Sequence, residues 1–321
     1  MFSKPNCPVI AIEEHYWDPE LTKHYVGIEA IRDVELEKRL YDYGELRIKE
    51  MDEVGIDVQV LSHGAPSLQK LSGDDAVELG KRINDRLHQI IRAHPTRFSG
   101  FAALPTSDPR AAADEMERAV SKLGFKGAMI HGMPHGLFLD DKRFRPIFER
   151  AQALDIPIYL HPSVPHPAVM DVYYKEYIKD FPMVMRAAWG FTVETATQAI
   201  RLVLGGLFDA YPRLKVILGH LGETLPFVLW RVDTALARPG QKPINFRELF
   251  CDHFYITTSG FFSDAALQCS IAEMGIDRIL FAVDYPFVAN PPAIEWMKKV
   301  PLSDQDKAKI LSGNTKKLLR M

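Results

Sequence analysis

Four short apolar runs in this chain end in side chains that can bind a metal. Val9-Ile10-Ala11-Ile12 runs into Glu13-Glu14-His15, Ile158-Tyr159-Leu160 into His161, Val216-Ile217-Leu218-Gly219 into His220, and Ile279-Leu280-Phe281-Ala282-Val283 into Asp284. Buried parallel strands read as continuous apolar runs, and in a β/α barrel the chemistry gathers at the carboxyl ends of the strands. Runs so far apart in sequence with endings of one kind predict a single shared site at the mouth of a barrel.

The rest of the chain fits that architecture. Short β-branched runs alternate with longer amphipathic stretches about eight times, the pattern of βα units around a parallel sheet. A helix is expected over Lys38 to Val54, stopped by Gly55 before a strand at Val58 to Leu61 that ends in Ser62-His63. Further helices are expected over Ala76 to His94, Pro109 to Leu123, Arg143 to Leu154, Thr195 to Tyr211 and Ser263 to Met274. Strands are expected at Phe98 to Leu104, Ala128 to His131 and Phe254 to Thr258. The reading is one α/β domain over residues 1–321, a (β/α)8 TIM barrel. The Pro- and aromatic-rich stretch 162–185 after His161 is expected to form a lid.

Composition narrows the function. At 321 residues and 47% apolar the chain can bury a large core, and a net charge of -3 with no dense Lys/Arg cluster argues against a nucleic-acid partner. Cys7, Cys251 and Cys269 are odd in number and widely spaced, which suits a reducing compartment better than a disulfide framework. The first residues lack the apolar core of a signal peptide, and no uncharged apolar run approaches membrane-spanning length. A cytoplasmic protein with no membrane partner is expected.

Glu13 and His15 lie two apart, so on a strand they share a face and one ion. With His161 and Asp284 they make a set of imidazole and carboxylate donors suited to one divalent ion, Zn2+ or Mn2+, with a position left open for water or substrate. A lone His after a strand is more often a hydrogen-bonded loop residue; the coincidence of several strand ends favours the metal. His220 sits between glycines in Leu218-Gly219-His220-Leu221-Gly222-Glu223, where Glu223 can orient its ring and raise its basicity. His131 and His63 end two further strands and face the same mouth. Tyr16, Trp17, Trp189, Phe191, Tyr285 and Phe287 lie near strand ends or the lid and are candidates for the walls of a flat slot.

These residues resemble the amidohydrolase superfamily, in particular its decarboxylase branch of γ-resorcylate, 5-carboxyvanillate and aminocarboxymuconate-semialdehyde decarboxylases. The resemblance rests on Ala11 to Tyr16, Tyr159-Leu160-His161-Pro162, Ile217 to Pro226, Thr257-Thr258-Ser259-Gly260 and Arg278 to Phe287. It implies that Glu13, His15, His161 and Asp284 hold the metal with His220 and Glu223 beside it. Glu13-x-His15 in place of the His-x-His of many amidohydrolases looks like the resorcylate-type decarboxylases. The bridging lysine of binuclear members has no counterpart, since strand four ends Met129-Ile130-His131. After Phe287, Val288 to Pro292 departs from the acidic and amide pair that resorcylate decarboxylases share.

The activity implied is non-oxidative decarboxylation of a hydroxylated aromatic carboxylate. The resemblance assigns Asp284 the delivery of the proton to the ring carbon and gives His220 with Glu223 the task of steadying an oxygen or activating water. Trp189, Arg231, Phe287, Tyr16 and His131 are the expected substrate contacts. The family forms dimers or tetramers, so Arg231, on the helix after His220, is expected to reach a neighbouring subunit's pocket and grip a carboxylate. The alternative is a metal-dependent hydrolase of an amide, ester or lactone, in which Asp284 would serve as general base.

Overall fold

The computed structural model describes residues 6–30, 32–240 and 242–321. The apolar runs form parallel strands: β1 (Ile10–Tyr16), β2 (Val58–His63) and β3 (Phe98–Gly100) in one sheet. In a second sheet, β4 (Ala102–Ala103), β5 (Ala128–His131), β6 (Pro157–His161), β7 (Lys215–Leu218), β8 (Phe254–Thr257) and β9 (Ile279–Leu280) lie in chain order. β3 and β4 are the single run expected from Phe98 to Leu104, divided where it changes partner. Phe101 N donates to Leu61 O at 2.9 Å and Ala102 N to Gly127 O at 2.9 Å. At the other seam Asp284 N donates to Glu13 O at 3.1 Å and His15 N to Tyr285 O at 2.6 Å. The order and sense are those of the α/β architecture expected, a (β/α)8 barrel.

Local chemistry explains the departures from the expected elements. The helix expected from Lys38 to Val54 is two, Val34–Leu40 and Glu45–Val54. The Asp42 carboxylate accepts from Gly44 N at 3.1 Å and Arg47 N at 2.9 Å, a turn that competes with a continuous helix. The helix expected from Thr195 to Tyr211 splits into Gly190–Leu204 and Leu207–Ala210 at Gly205-Gly206, where Gly206 has φ 70°. β9 is shorter than its apolar run because Phe281 N donates to Ile310 O and Ala282 exchanges both backbone hydrogen bonds with the Thr258 hydroxyl.

Side chains sort to the two faces of the strands. Ile10, Ile12, Val60, Phe101, Met129, Tyr159, Ile217 and Leu280 cluster with Leu318 and Leu319 of the last helix. Val9, Ala11, Leu61, Leu160 and Leu218 join the larger cluster with the helices. β1 carries a bulge: Ala11 pairs with Gln59 and Glu14 with Leu61, so that Ile12 and Glu13 together face Val60. The stretch 162–185 carries the short helical segments Pro167–Val169, Met170–Tyr174 and Pro182–Met185, and it exposes Val172, Tyr173, Tyr177 and Phe181. Among the described residues no helix is long and apolar enough to cross a membrane.

Candidate metal centre

The bulge places Glu13 and His15 on the face that Ile10 and Ile12 also use. His161 ends β6, and Asp284 follows β9 in a left-handed backbone conformation of φ 74°. One ligand atom from each of Glu13, His15, His161 and Asp284 lies within 4.8 Å of all the others. His15 Nε2 is 3.3 Å from Asp284 Oδ1, and His161 Nε2 is 3.3 Å from Glu13 Oε1. Donors bound at roughly 2.0 to 2.2 Å around a tetrahedral ion stand about 3.3 to 3.6 Å apart, so these pairs already have ligand spacing.

The outer partners leave the correct atoms free. His161 Nδ1 donates to Pro162 O at 2.7 Å, and His15 Nδ1 is hydrogen-bonded to Ser62 Oγ at 3.2 Å, so each ring presents Nε2 to the centre. The Tyr159 hydroxyl and Thr257 Oγ1 both donate to Glu13 Oε2, the latter at 3.2 Å. Glu13 Oε1, His15 Nε2 and Asp284 Oδ1 are buried and make no hydrogen bond among the described residues. Buried polar atoms are normally paired, and these three converge on one point, so the residues fit one divalent ion.

Electrostatics agree. Two carboxylates within 4.8 Å repel by on the order of 4 kcal/mol at an effective dielectric of ~20, and a dication turns that repulsion into attraction. Burial and the neighbouring Asp284 charge push Glu13 above its ordinary carboxylate range, against His220 and His15. Burial would also raise Asp284, but the nearby His15 and His220 rings hold it below the usual range. Burial and the charge of His15 hold His161 well below the ordinary imidazole value, in the neutral form that a ligand needs.

His220 is held by an unusual turn. Residues 220 to 224 all have positive φ, between 49° and 80°, which for the non-glycine members is strained backbone. The turn folds Glu223 back so that its Oε1 lies 2.7 Å from His220 Nδ1, while Ser259 Oγ accepts from His220 N at 3.0 Å. His220 Nε2 then lies 3.7 Å from Glu13 Oε1 and 3.9 Å from Asp284 Oδ2. Burial opposes its protonation, yet the charges of Glu223 and Glu13 raise it well above the ordinary imidazole range.

Above these groups opens a cavity of about 450 Å³ whose lining includes His161, His220, Asp284, Arg32, Arg186, Phe191 and Phe287. Phe287, an expected contact, is in place, its ring 5.6 Å from that of His15. Other expected contacts lie elsewhere. Trp189 is 51% exposed, and Phe191 lines the cavity in its stead. Tyr16 is buried against the Tyr43 and His63 rings and lies outside the lining. Arg231 is exposed on the helix Leu225–Leu236. His131 is buried beside His161, ring centroids 4.8 Å apart, with Nδ1 on Gln69 Oε1 at 3.1 Å. His63 is buried too, its Nε2 accepting from Asp18 N at 2.9 Å.

Sequence reasoning missed Tyr159, Thr257 and Ser259, which hold Glu13 and His220, although Tyr159 lies two before His161 and so shares its face. It also missed Arg32 and Arg186. Arg32 stands 4.8 Å from the Trp17 ring centroid, and burial together with the Arg186 charge lowers its pKa. No local pattern marks two arginines so distant in sequence.

A family model described as amidohydrolase matches residues 11–321. The γ-resorcylate decarboxylase of Polaromonas sp. (strain JS666) is 39% identical over 327 residues, spanning 97% of this chain and 98% of that protein. A crystal structure of dihydroxybenzoic acid decarboxylase from Polaromonas sp. JS666, with bound manganese and the inhibitor 2-nitroresorcinol, superposes with a TM-score of 0.90 at 39% identity, covering 98% of this chain and 97% of that one. The 5-carboxyvanillate decarboxylase of Novosphingobium aromaticivorans, complexed with manganese and 4-hydroxy-3-methoxy-5-nitrobenzoic acid, gives a TM-score of 0.90 at 30% identity, covering 99% and 97%. With that family model over most of its length and relatives of this identity and coverage, the chain belongs to the amidohydrolase family, in its branch of metal-dependent decarboxylases.

Proposed function

We propose that this enzyme is a non-oxidative decarboxylase of hydroxylated aromatic carboxylic acids of the hydroxybenzoate type. The observation that carries the reading is the convergence of three unpartnered buried donor atoms at the base of a cavity with arginines on its lining. Glu13, His15, His161 and Asp284 would hold the ion, and the manganese in the two related structures makes Mn2+ the first choice over Zn2+. When bound, the ion supplies a Lewis-acid centre that orients the carboxylate and adjacent phenolate oxygens and stabilises developing charge.

The chain's own residues supply the proton. His220, whose protonated form the charges of Glu223 and Glu13 favour, gives a proton to Asp284, whose Oδ2 lies 3.9 Å from His220 Nε2. Asp284 passes it to the ring carbon bearing the carboxylate; the carbon–carbon bond then breaks, CO2 leaves, and its electron pair restores the aromatic ring. Glu223 holds the His220 ring throughout. Phe287 and Phe191 wall the slot for a flat ring, while Arg32 and Arg186 favour an anionic substrate. His131 supports the His161 side of the site from behind.

The proposal extends to assembly. The stretch 162–185, which brings Pro162, Ser163, Val164 and Met183 to the cavity, acts as a lid on a single barrel domain. Phe227 and Trp230, 82% and 70% exposed beside Arg231, fit a subunit interface in a cytoplasmic homodimer or homotetramer, where Arg231 could enter a neighbour's pocket. Light scattering that finds a fully active monomer would reject that part.

The reaction is tested by incubating manganese-loaded enzyme with a panel of hydroxybenzoates in heavy water, following CO2 by mass spectrometry and the product by NMR. One deuterium is expected on the carbon that held the carboxylate. CO2 release from none of the panel, or a ring unlabelled at that carbon, would overturn the reading.

A further inference from the structure

We infer that Glu14 is a positioning residue that grips the backbone on both sides of Asp284 and thereby sets the affinity of the metal centre. This rests on Asp284 being a ligand. Glu14 stands between Glu13 and His15 in sequence, but the bulge at Ile12 and Glu13 directs it away from them, into the seam between β1 and the segment after β9. It is fully buried. Its Oε1 accepts from Val283 N at 2.9 Å, and its Oε2 accepts from Tyr285 N at 3.3 Å and Gln59 Nε2 at 3.3 Å. Asp284 N, between the two gripped amides, donates to Glu13 O at 3.1 Å. Three successive N–H groups thus end on Glu13 and Glu14.

The grip matters because of what lies between. Asp284 holds a φ of 74° without being glycine, a conformation that is strained for an L-residue and persists only where its surroundings impose it. That conformation aims Oδ1 at the centre. Arg47, also fully buried, donates to Gln59 Oε1 at 3.2 Å and to His15 O at 2.6 Å, with its guanidinium 4.7 Å from the Tyr285 ring centroid. Arg47 is therefore the positive partner of a buried network that ties the backbones of two ligands, His15 and Asp284, together from outside the barrel. Outer partners of this kind typically change metal affinity by about 10- to 100-fold when altered.

Glu14→Gln puts an amide where a carboxylate accepts three N–H bonds, so at least one backbone amide faces a donor. The test is titration of Mn2+ into the metal-free protein followed by electron paramagnetic resonance, with amide hydrogen exchange of the segment around Val283 and Tyr285. Expected are an at least roughly tenfold weaker Mn2+ affinity, an altered zero-field splitting of bound Mn2+ and faster exchange of both amides in the metal-free state. Glu14→Asp keeps the charge opposite Arg47 but withdraws the carboxylate by one methylene; it should shift the same readouts and decides the matter if Glu14→Gln does not fold. Wild-type affinity, spectrum and exchange in the folded variant would overturn the inference. Asp284→Ala that binds Mn2+ as tightly and with the same spectrum as wild type would instead defeat the ligand reading on which it rests.

Discussion

Gly219 and Glu13 share one volume of space: a Cβ on Gly219 would lie 2.9 Å from Glu13 Oε2 and 3.1 Å from Ser259 Oγ. Glu13 reaches its place because the residue that follows β7, a strand not paired with β1, has no side chain. Gly219→Ala must move the carboxylate or the backbone, in a core that tolerates overpacking at a cost of about 1 to 3 kcal/mol. Thermal unfolding of the metal-free variant should show that loss and Mn2+ titration a weaker site. Wild-type values of both would show that Glu13 has room to yield.

Tyr159 holds the outer oxygen of the same ligand. Tyr159→Phe removes that donor and leaves Thr257 as partner, so metal affinity should fall by about tenfold with the fold intact. His161→Ala, which deletes a ligand, should lose most of the metal and most of the activity, and it sets the scale. Equal metal content in Tyr159→Phe and wild type under limiting Mn2+ would argue that Thr257 suffices.

Asp284→Asn keeps an oxygen donor and nearly the same shape while removing the carboxylate that relays the proton to the ring carbon. Substrate should still bind, but kcat should drop by at least roughly a hundredfold. Steady-state kinetics on the best hydroxybenzoate, with the metal content of each sample measured, checks this. Turnover near wild type at full occupancy would take the proton delivery away from Asp284.

His220 predicts a pH dependence of the metal-free protein. Its folded pKa is raised above the unfolded value, because the charges of Glu223 and Glu13 outweigh burial. The pairing therefore stabilises the fold fully below an unfolded pKa of about 6.5, and that contribution fades as pH rises through the higher folded value. Urea midpoints between neutral and alkaline pH should fall more steeply for wild type than for His220→Gln. Parallel curves would mean that the ring is neutral when folded.

The elements of this site that could be read without coordinates are those whose placement is local. His161 ends β6 and Asp284 follows β9 because an apolar run announces a buried strand, and the carboxyl ends of parallel strands meet at one mouth. His220 and Glu223 belong to one turn, so their pairing needs no distant partner. Even the helix breaks at Asp42 and at Gly205-Gly206 have local causes, though the apolar periodicity on either side masks them.

The sequence by itself determined the strand and helix order, the donor set and its chemistry, because periodicity and residue type are properties of short stretches. Strict alternation from Ile10 and Ile12 would have turned Glu14 inward and Glu13 outward; the bulge against Val60 reverses that, and it exists only once β1 pairs with β2. The cavity wall was decided in the same way. Phe191, Arg32 and Arg186 face it while Trp189 and Tyr16 do not, because residues far apart in the chain meet there through packing between segments, which no local pattern encodes.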